Sequence, residues 1–193
     1  NSKLSKIDLQ NNFGITTPVD VIYNPVDIEM IREKSREERP SCFSEKDCFY
    51  YISVGGFRVE KNFSLLLKAF SIVKDKAHVK LVIVGNGVLE KELKEQAANL
   101  GIDRSVHFCG FQHNPYKFIA NADCFVLSSL TEGFPNVLLE ALACKKPVVS
   151  TDCQSGPREL LAPSSDPSLQ AQKGYETADY GILTAPGDPA ALA

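Results

Sequence analysis

Short apolar runs alternate along this sequence with segments of helical spacing, and that alternation restricts the fold more than any other feature. The apolar runs lie at residues 48–54, 79–84, 106–109, 123–127 and 147–150. Strands that alternate with helices pair in parallel through right-handed crossovers, with helices on both faces of the sheet. The sequence therefore predicts an α/β fold, a Rossmann-like doubly wound parallel sheet, over residues 19–193, after a connecting segment at 1–18.

Segments outside this alternation predict further elements. Helical spacing at Ser2–Phe13 predicts a helix, and the apolar residues Val19–Tyr23 predict a strand. Residues 162–179 are rich in Ser, Pro, Gln and Ala, which predicts a mobile loop. Gly181–Leu183 predicts a last strand, and Asp188 begins a helix that the end of the chain truncates.

Composition and charge exclude several classes of protein. With 193 residues and a net charge of −3, the chain fits one large domain and has no basic bias toward nucleic acid. No apolar run approaches the roughly 20 residues that span a bilayer. The start of the sequence has no apolar signal-peptide core and no initiating Met. We expect a cytoplasmic protein and a sequence taken from the middle of a longer one.

Cysteine and histidine spacing gives no metal-binding or disulfide pattern. The six cysteines form no C-x-x-C pair, and the three histidines are scattered at positions 78, 107 and 113. Most of the cysteines fall in or beside predicted strands and a predicted buried helix. This pattern predicts reduced core thiols and no metal site.

Two carboxylates interrupt the apolar pattern between residues 121 and 161. Glu132 lies in the loop before a helix that Pro135 opens, and Glu140 lies among apolar residues on that helix. No basic residue lies three or four positions from Glu140, and a buried carboxylate needs hydrogen-bond donors. Sugar hydroxyls would supply such donors. The alternative is that Glu140 lies on a solvated helix edge and that Glu132 is an ordinary loop acid.

The start of the same helix lies between the two acids. The amides of Asn136, Val137 and Leu138 are in the first helical turn, where N–H groups have no partner within the helix. Such a terminus favours an anion, for instance a phosphate. An acid, an anion site and a second acid together predict a site for a sugar joined to a nucleotide through phosphates.

Three other predicted strands also end in glycines or basic residues. Arg58 and Lys61 follow the strand that ends near Gly56, where they are suited to a diphosphate, although solvated surface cations are the alternative. Gly85 and Gly87 follow the next strand; they either let backbone approach a ligand closely or turn the chain tightly, and they lack the third glycine of a dinucleotide fingerprint. Gly110 and Phe111 follow the strand after that.

These motifs together resemble a known family. Glu132 to Glu140 resembles the E-x7-E motif of retaining glycosyltransferases with the GT-B fold, in the large family four group. Val126–Ser129 and Pro147–Asp152 resemble its flanking segments. Ser155–Glu159 resembles the loop of capsule and O-antigen polysaccharide transferases, and the likeness extends over roughly Val21–Leu183.

The resemblance implies a role for each of these residues. Glu140 would bind the ribose hydroxyls, Glu132 the hydroxyls of the donor sugar, and Lys61 the leaving diphosphate. Phe111 would pack on the nucleotide base, with a structural aromatic as the alternative. The implied sugar- and phosphate-binding residues are Gly56, Gly133, Phe134, Pro135, Asn136 and Val137. The implied nucleotide-binding residues, besides Glu140 and Phe111, are Gly85, Gly87 and Gly110.

One position departs from the family pattern. The family pattern is Gly-Arg-Leu-x-x-x-Lys, with Arg directly after the first glycine. This sequence has Gly56 in place of that Arg, and Arg58 follows two residues later. Lys61 therefore corresponds directly to the family's lysine. Arg58 is a substitute whose role the pattern leaves open. Asn24 and Pro25 form a turn that borders the cleft between the two halves of such enzymes, or a plain turn.

The resemblance implies the donor-binding C-terminal half of a two-domain transferase. Such an enzyme would move a hexosyl unit from a nucleotide sugar, a UDP-sugar, to a glycan or lipid-linked acceptor in polysaccharide biosynthesis. The acceptor would bind the N-terminal domain, which this chain does not contain, so the fragment alone is expected to bind donor without transfer. No cofactor and no divalent metal are implied, since the chain contains no D-x-D sequence. The full-length enzyme could be peripheral to the inner face of the membrane.

Three other functions fit parts of the same pattern. A non-catalytic nucleotide-sugar module would use the same half-fold. An epimerase of GT-B architecture would bind a UDP-sugar, but the segments flanking the two acids favour a transferase. An ordinary NAD-binding domain is disfavoured by the incomplete glycine fingerprint.

Overall fold

The fold is built on one seven-stranded sheet. A computed structural model describes all 193 residues of the chain. The strands are β1 (Phe49–Val54), β2 (Val79–Val84), β3 (Val106–Phe108), β4 (Cys124–Leu127), β5 (Val148–Thr151), β6 (Tyr175–Ala178) and β7 (Gly181–Thr184). Their order across the sheet is β3-β2-β1-β4-β5-β7-β6. This confirms the predicted Rossmann-like α/β architecture.

Eight α-helices connect or flank the strands. They are α1 (Lys3–Asn12), α2 (Ile28–Ser35), α3 (Phe63–Lys74), α4 (Glu90–Asn99), α5 (Tyr116–Asn121), α6 (Asn136–Ala143), α7 (Pro157–Leu161) and α8 (Pro189–Leu192). Side chains cap several of them, as the carboxylate of Asp27 does for α2 by accepting the Met30 amide at 2.9 Å. No helix is both long and apolar enough to cross a bilayer.

Helices cover both faces of the sheet because its strands are apolar on both sides. On one face α3, α4 and α8 pack over side chains such as Leu81 and Ile83 of β2. On the other face α5, α6 and α7 pack over residues such as Ile52 of β1 and Phe125 of β4. These side chains have no exposed surface, so the two cores hold the strand ends in fixed positions.

The sheet is parallel except at one edge. Strands β1 to β5 and β7 pair in parallel, whereas β6 pairs antiparallel with β7 through Tyr175↔Thr184 and Ala178↔Gly181. The prediction of a continuous loop over 162–179 is therefore wrong at its end, where four residues form β6. Their side chains are mostly exposed, so they lack the apolar alternation that marks a strand in a sequence.

The predicted strand at Val19–Tyr23 is also wrong. These residues form no helix or strand and pair with no strand, and Ile22 is 79% exposed. An apolar run forms a strand only where a neighbouring strand accepts its backbone hydrogen bonds. The segment instead runs across the surface and brings Tyr23 and Asn24 to the start of α6.

The strand order reverses between β1 and β4. From β1 the chain continues to β2 on one side, and after β3 it returns to place β4 on the other side. In such sheets the crevice outside the carboxyl ends of these two strands is where ligands bind. The loops after β1 and β4 carry Lys61 and Glu132, so the fold places both residues at this crevice.

Candidate functional site

An ion pair joins the two loops at the crevice. Lys61 Nζ lies 2.7 Å from Glu132 Oε1 and 2.9 Å from Oε2, and the two side chains are only 20% and 8% exposed. Ser129 donates its hydroxyl to Glu132 Oε1 at 2.6 Å. The carboxylate is thus held by three hydrogen bonds, which together fix its orientation.

Backbone contacts between the same loops hold this pair in place. Ser128 donates its hydroxyl to the carbonyl of Lys61 at 3.0 Å, and the amide of Leu130 donates to the carbonyl of Glu60 at 2.8 Å. Lys61 ends a single 3-10 turn, and Asn62, with φ 47°, then caps α3 through the amide of Leu65. The lysine is therefore positioned by backbone on both sides.

The first turn of α6 has two amides without an acceptor. Pro135 is the N-cap of α6, so the helix begins at Asn136, one residue later than the sequence predicts. The amides of Asn136 and Val137 make no hydrogen bond within the chain, whereas the amide of Leu138 donates to the Pro135 carbonyl at 3.0 Å. The prediction of three free amides is therefore wrong for Leu138. Two unpaired N–H groups and the helix dipole still favour an anion at this end.

Glu140 lies one turn further along α6 and has no partner. Its side chain makes neither a hydrogen bond nor an ion pair within the chain, and it is half-buried. Burial alone raises the pKa of its carboxyl above the usual range. A half-buried carboxylate without donors is destabilising unless a ligand supplies them.

The loop between Glu132 and α6 is packed under the N-terminal segment. Tyr23 stacks on Phe134 with ring centroids 5.1 Å apart, and Phe134 is buried. Asn24 donates its amide to Asn136 Oδ1 at 2.7 Å. Gly133 accepts the Ser155 hydroxyl on its carbonyl at 2.9 Å. Phe134 and Pro135 therefore support the loop from beneath, while Asn136 and Val137 present their amides.

The loops after β1, β2 and β3 enclose a cleft of about 320 Å³. Gly56, Gly85 and Phe111 are among its lining residues, and Phe111 is 61% exposed. Gly110 orients the Phe111 loop by accepting the Gly85 amide on its carbonyl at 2.9 Å. The ring of Phe111 packs edge-on against that of His113, with centroids 5.1 Å apart. An exposed aromatic ring at the mouth of a cleft is available to a planar ligand.

Gly85 and Gly87 are required by packing between loops. A side chain on Gly85 would overlap the carbonyl of Gly55, and one on Gly87 would lie 2.6 Å from the Phe57 carbonyl. These glycines therefore allow a close backbone approach, which was one of the two predicted roles. The backbone that they approach is the loop after β1, however, and not a ligand. This contact sets the width of the cleft between the two loops.

Arg58 lies at the rim of the site. Its Nε pairs with Glu60 Oε1 at 3.0 Å, and its side chain is 64% exposed. The side chain folds over Gly56, since a Cβ added there would lie 3.5 Å from Nε. A diphosphate ligand would have to compete with Glu60 for this guanidinium.

A second cavity lies on the other side of Glu132. It measures about 220 Å³ and is lined by Glu132, by Thr131 and Gln154, and by Ser5 and Asp8 of α1. From the sequence, α1 is predicted only as a helix in a connecting segment, and neither Ser129 nor Gln154 is predicted to have a role. The flanking Ser-Ser sequence before Glu132 was the available signal for Ser129, whereas nothing local indicates that α1 reaches this loop.

Comparison with known families identifies the chain. Residues 34–193 match the family described as Glycosyl transferases group 1. The chain belongs to this family. Its relatives include a Campylobacter jejuni enzyme named N-acetylgalactosamine-N,N'-diacetylbacillosaminyl-diphospho-undecaprenol 4-alpha-N-acetylgalactosaminyltransferase, 42% identical over 83% of this chain and 42% of the relative. Another is the lipopolysaccharide 1,6-galactosyltransferase of Salmonella typhimurium, 30% identical over 78% of this chain and 41% of the relative.

Solved structures of glycosyltransferases share the fold of this group 1 domain. Anabaena HepE in complex with UDP superposes with a TM-score of 0.79 and 25% identity, over 100% of this chain and 50% of that chain. The same protein was also solved in complex with UDP and glucose. The chain thus spans about half the length of that structure and about four-tenths of the curated relatives it matches.

Proposed function

We propose that this chain is the donor-binding half of a retaining glycosyltransferase that uses a UDP-sugar. The observation that carries the proposal is the Lys61–Glu132 pair, which lies at the switch point of the sheet beside the unpaired amides of Asn136 and Val137. A cation, two amide donors and a sugar-orienting carboxylate are the groups that a sugar diphosphate requires.

The donor would occupy the cleft and the start of α6 together. Its base would pack on Phe111, and its ribose hydroxyls would donate to Glu140, which has no donor of its own. The phosphates would lie at the amides of Asn136 and Val137. Complexes of HepE with UDP support a uridine nucleotide as the ligand of this half-fold.

Lys61 would act on the leaving group. Breaking the bond between the sugar and the diphosphate leaves negative charge on the phosphate oxygens, and an ammonium placed there stabilises that charge. Glu132 both positions Lys61 and accepts hydroxyls of the donor sugar. The reaction would retain anomeric configuration by attack on the face from which the diphosphate leaves. The absence of a D-x-D sequence supports a reaction without a divalent metal.

A glycan or lipid-linked molecule would be the acceptor, with a hexosyl unit transferred in polysaccharide biosynthesis of the capsule or O-antigen kind. The names of the Campylobacter and Salmonella relatives support this class of acceptor. The acceptor would bind a domain beyond this chain, and the whole enzyme would act in the cytoplasm at the inner face of the membrane. The fragment alone would bind donor without transferring sugar.

Calorimetric titration of the fragment with UDP tests the proposal. We expect binding in the micromolar to millimolar range, weakened about tenfold or more by Glu140→Gln because a carbonyl and an amide replace two carboxylate acceptors. Glu92→Gln, on the exposed face of α4 and in no ion pair, is the matched control. Absence of UDP binding at millimolar concentration, or equal loss in both variants, would contradict the proposal.

A further inference from the structure

Three potential metal ligands of different chemistry lie close together at the amino ends of β1 and β2. Glu45 and Cys48 lie in the loop before β1, and His78 lies directly before β2. A carboxylate oxygen, the thiol sulfur and a ring nitrogen all lie within 4.8 Å of one another. Because β1 and β2 are parallel, this cluster is at their amino ends, away from the nucleotide cleft at their carboxyl ends.

The ring of His78 faces an acceptor on each side. Its Nδ1 lies 3.1 Å from the carbonyl oxygen of Asp47, and its Nε2 lies 3.1 Å from Glu45 Oε2. A neutral imidazole carries one N–H and can donate to only one of these acceptors. At the other contact a ring nitrogen and a carboxylate oxygen both present electron pairs, and a cation beside them would stabilise this arrangement. Donation from Nδ1 to a backbone carbonyl, with Nε2 left for a metal, is a common arrangement of metal-ligating histidines.

The backbone around the cluster is held in place. Asp47 has φ 55°, which turns the loop so that its carbonyl reaches His78. The amide of Glu45 donates to the Tyr50 hydroxyl at 3.0 Å. The two strands are also joined here, since the amide of Phe49 donates to the His78 carbonyl at 3.1 Å. The three side chains therefore start from fixed main-chain positions.

Lys80 is the nearest cation and leaves one carboxylate oxygen available. Its Nζ contacts Glu45 Oε1 at 2.9 Å and the Arg104 carbonyl at 2.8 Å. Glu45 Oε2, the oxygen that faces His78, takes no hydrogen bond from the lysine. Lys80 then acts on the carboxylate as an outer hydrogen-bond donor, as partners of ligating carboxylates do.

We propose that Glu45, Cys48 and His78 form a zinc site, with water as the fourth ligand. Zinc takes oxygen, sulfur and nitrogen ligands together, at bond lengths of about 2.0 to 2.3 Å. Calcium and magnesium prefer oxygen alone, so a thiol and an imidazole select against them. Tetrahedral ligands at those bond lengths are roughly 3.3 to 3.8 Å apart, so shifts of less than about 1 Å bring the three atoms into place.

The bound metal would stabilise the domain. It would tie the loop before β1 to the start of β2, and binding to the folded chain alone raises the melting temperature. The ligands lie outside the nucleotide cleft, so the zinc site and the proposed donor site are independent. The scattered histidines of the sequence predict no metal site, whereas the fold places His78 beside Glu45 and Cys48.

Titration of the chelator-treated protein with zinc chloride, in a thiol-free reductant, tests this inference. Competition with a chromogenic chelator should give one zinc per chain, and the melting temperature should rise with zinc. Cys48→Ser and His78→Gln should each weaken binding by about tenfold or more. Cys42→Ser and His113→Gln should bind like the wild type, and the melting temperature without metal shows that each variant is folded.

Cobalt gives a second measurement. Cobalt chloride should produce a sulfur-to-metal charge-transfer band in the wild type that Cys48→Ser removes and Cys42→Ser retains. The proposal is overturned if the wild type neither binds zinc nor is stabilised by it at about one hundred micromolar. It is also overturned if binding survives both ligand substitutions or is lost in Cys42→Ser. Any of these results would mean that Glu45, Cys48 and His78 do not bind zinc together.

Discussion

Lys61 Nζ lies within 3 Å of both carboxylate oxygens of Glu132, although 71 residues separate the two along the chain. The contact crosses the point where the strand order of the sheet reverses, between β1 and β4. This ion pair therefore bridges the loops that follow β1 and β4, at the crevice where the donor is proposed to bind.

Removing one member of this pair should destabilise the protein. Lys61→Met leaves a largely buried carboxylate with only the Ser129 hydroxyl as donor, for which we expect a loss of about 3 kcal/mol in the free energy of unfolding. The double variant Lys61→Met/Glu132→Gln should lose less than the sum of the two single variants, because no uncompensated charge remains. Urea unfolding of the wild type, the two single variants and the double variant measures this coupling.

Lys91→Met, from an exposed pair, is the control and should change stability by less than about 0.5 kcal/mol. Additive losses would contradict a coupled pair.

A second buried ion pair holds the Ser155–Glu159 segment. Arg158 donates to Asp152 Oδ2 from Nε at 3.0 Å and from Nη2 at 2.6 Å. The side chain of Arg158 is 5% exposed and that of Asp152 is 1% exposed. Arg158→Met should lower the free energy of unfolding by about 3 to 5 kcal/mol, since Asp152 would stay buried without its cation. Arg32→Met, whose partner Glu29 is exposed, should have almost no effect in the same urea titration. Similar losses in the two variants would show that burial of the pair is irrelevant.

Gly85 should not tolerate a side chain. In Gly85→Ala the new Cβ overlaps the Gly55 carbonyl, so the loops after β1 and β2 must separate. We expect a loss of about 1 to 3 kcal/mol and weaker UDP binding, because those loops line the cleft. Gly133→Ala is the matched control: no atom lies within 4 Å of its added Cβ, so stability should be nearly unchanged. Thermal unfolding compares the stability of the two variants, and UDP titration of Gly85→Ala against the wild type measures the effect on the cleft.

Glu140 should make stability depend on pH in a specific direction. Burial raises the pKa of its carboxyl in the folded state, whereas the unfolded chain keeps the usual value. The folded state therefore retains the proton over a higher pH range, and the stability that this provides is lost as pH rises through the raised pKa. The melting temperature of Glu140→Gln minus that of the wild type should thus increase between roughly pH 4 and pH 7. Glu92→Gln should show a constant difference across the same series; a constant difference for Glu140→Gln would contradict the effect of burial.

Phe111 should contribute to UDP binding but not to stability. Its ring is 61% exposed at the cleft mouth, so Phe111→Ala should leave the melting temperature within the error of the wild type. Loss of base stacking should weaken UDP binding about tenfold. Val88→Ala, 87% exposed on the loop before α4, controls for the removal of exposed apolar surface. Equal UDP affinity in Phe111→Ala and the wild type would favour a structural aromatic.

Periodicity predicted the parallel strands and the helices well. Val79–Val84 is a strand with the predicted bounds, because its apolar run is a local feature of the sequence. The Val19–Tyr23 prediction failed because an apolar run alone does not specify a strand partner. Strand β6 was missed for the opposite reason. Its side chains are mostly exposed and show no alternation of apolar and polar residues, so the strand depends on its pairing with Gly181–Thr184.

The candidate site was predictable in composition and less so in contacts. The positions of Glu132, Lys61 and the start of α6 followed from strand ends and from the family motif. Their ion pair, the Ser129 hydrogen bond and the use of the Leu138 amide depend on how two distant loops meet. The domain boundary at residues 18–19 stays a prediction, although the family match begins only at residue 34.

The stacking of Tyr23 on Phe134 links the entry segment to the loop that carries Glu132. If that aromatic contact is broken, Phe134 becomes accessible to water, and Asn136 loses its neighbour Asn24 in the same movement. Opening of this segment and loosening of the loop that carries Glu132 would then be one event, so a ligand that holds the segment in place would also order the proposed donor-binding residues.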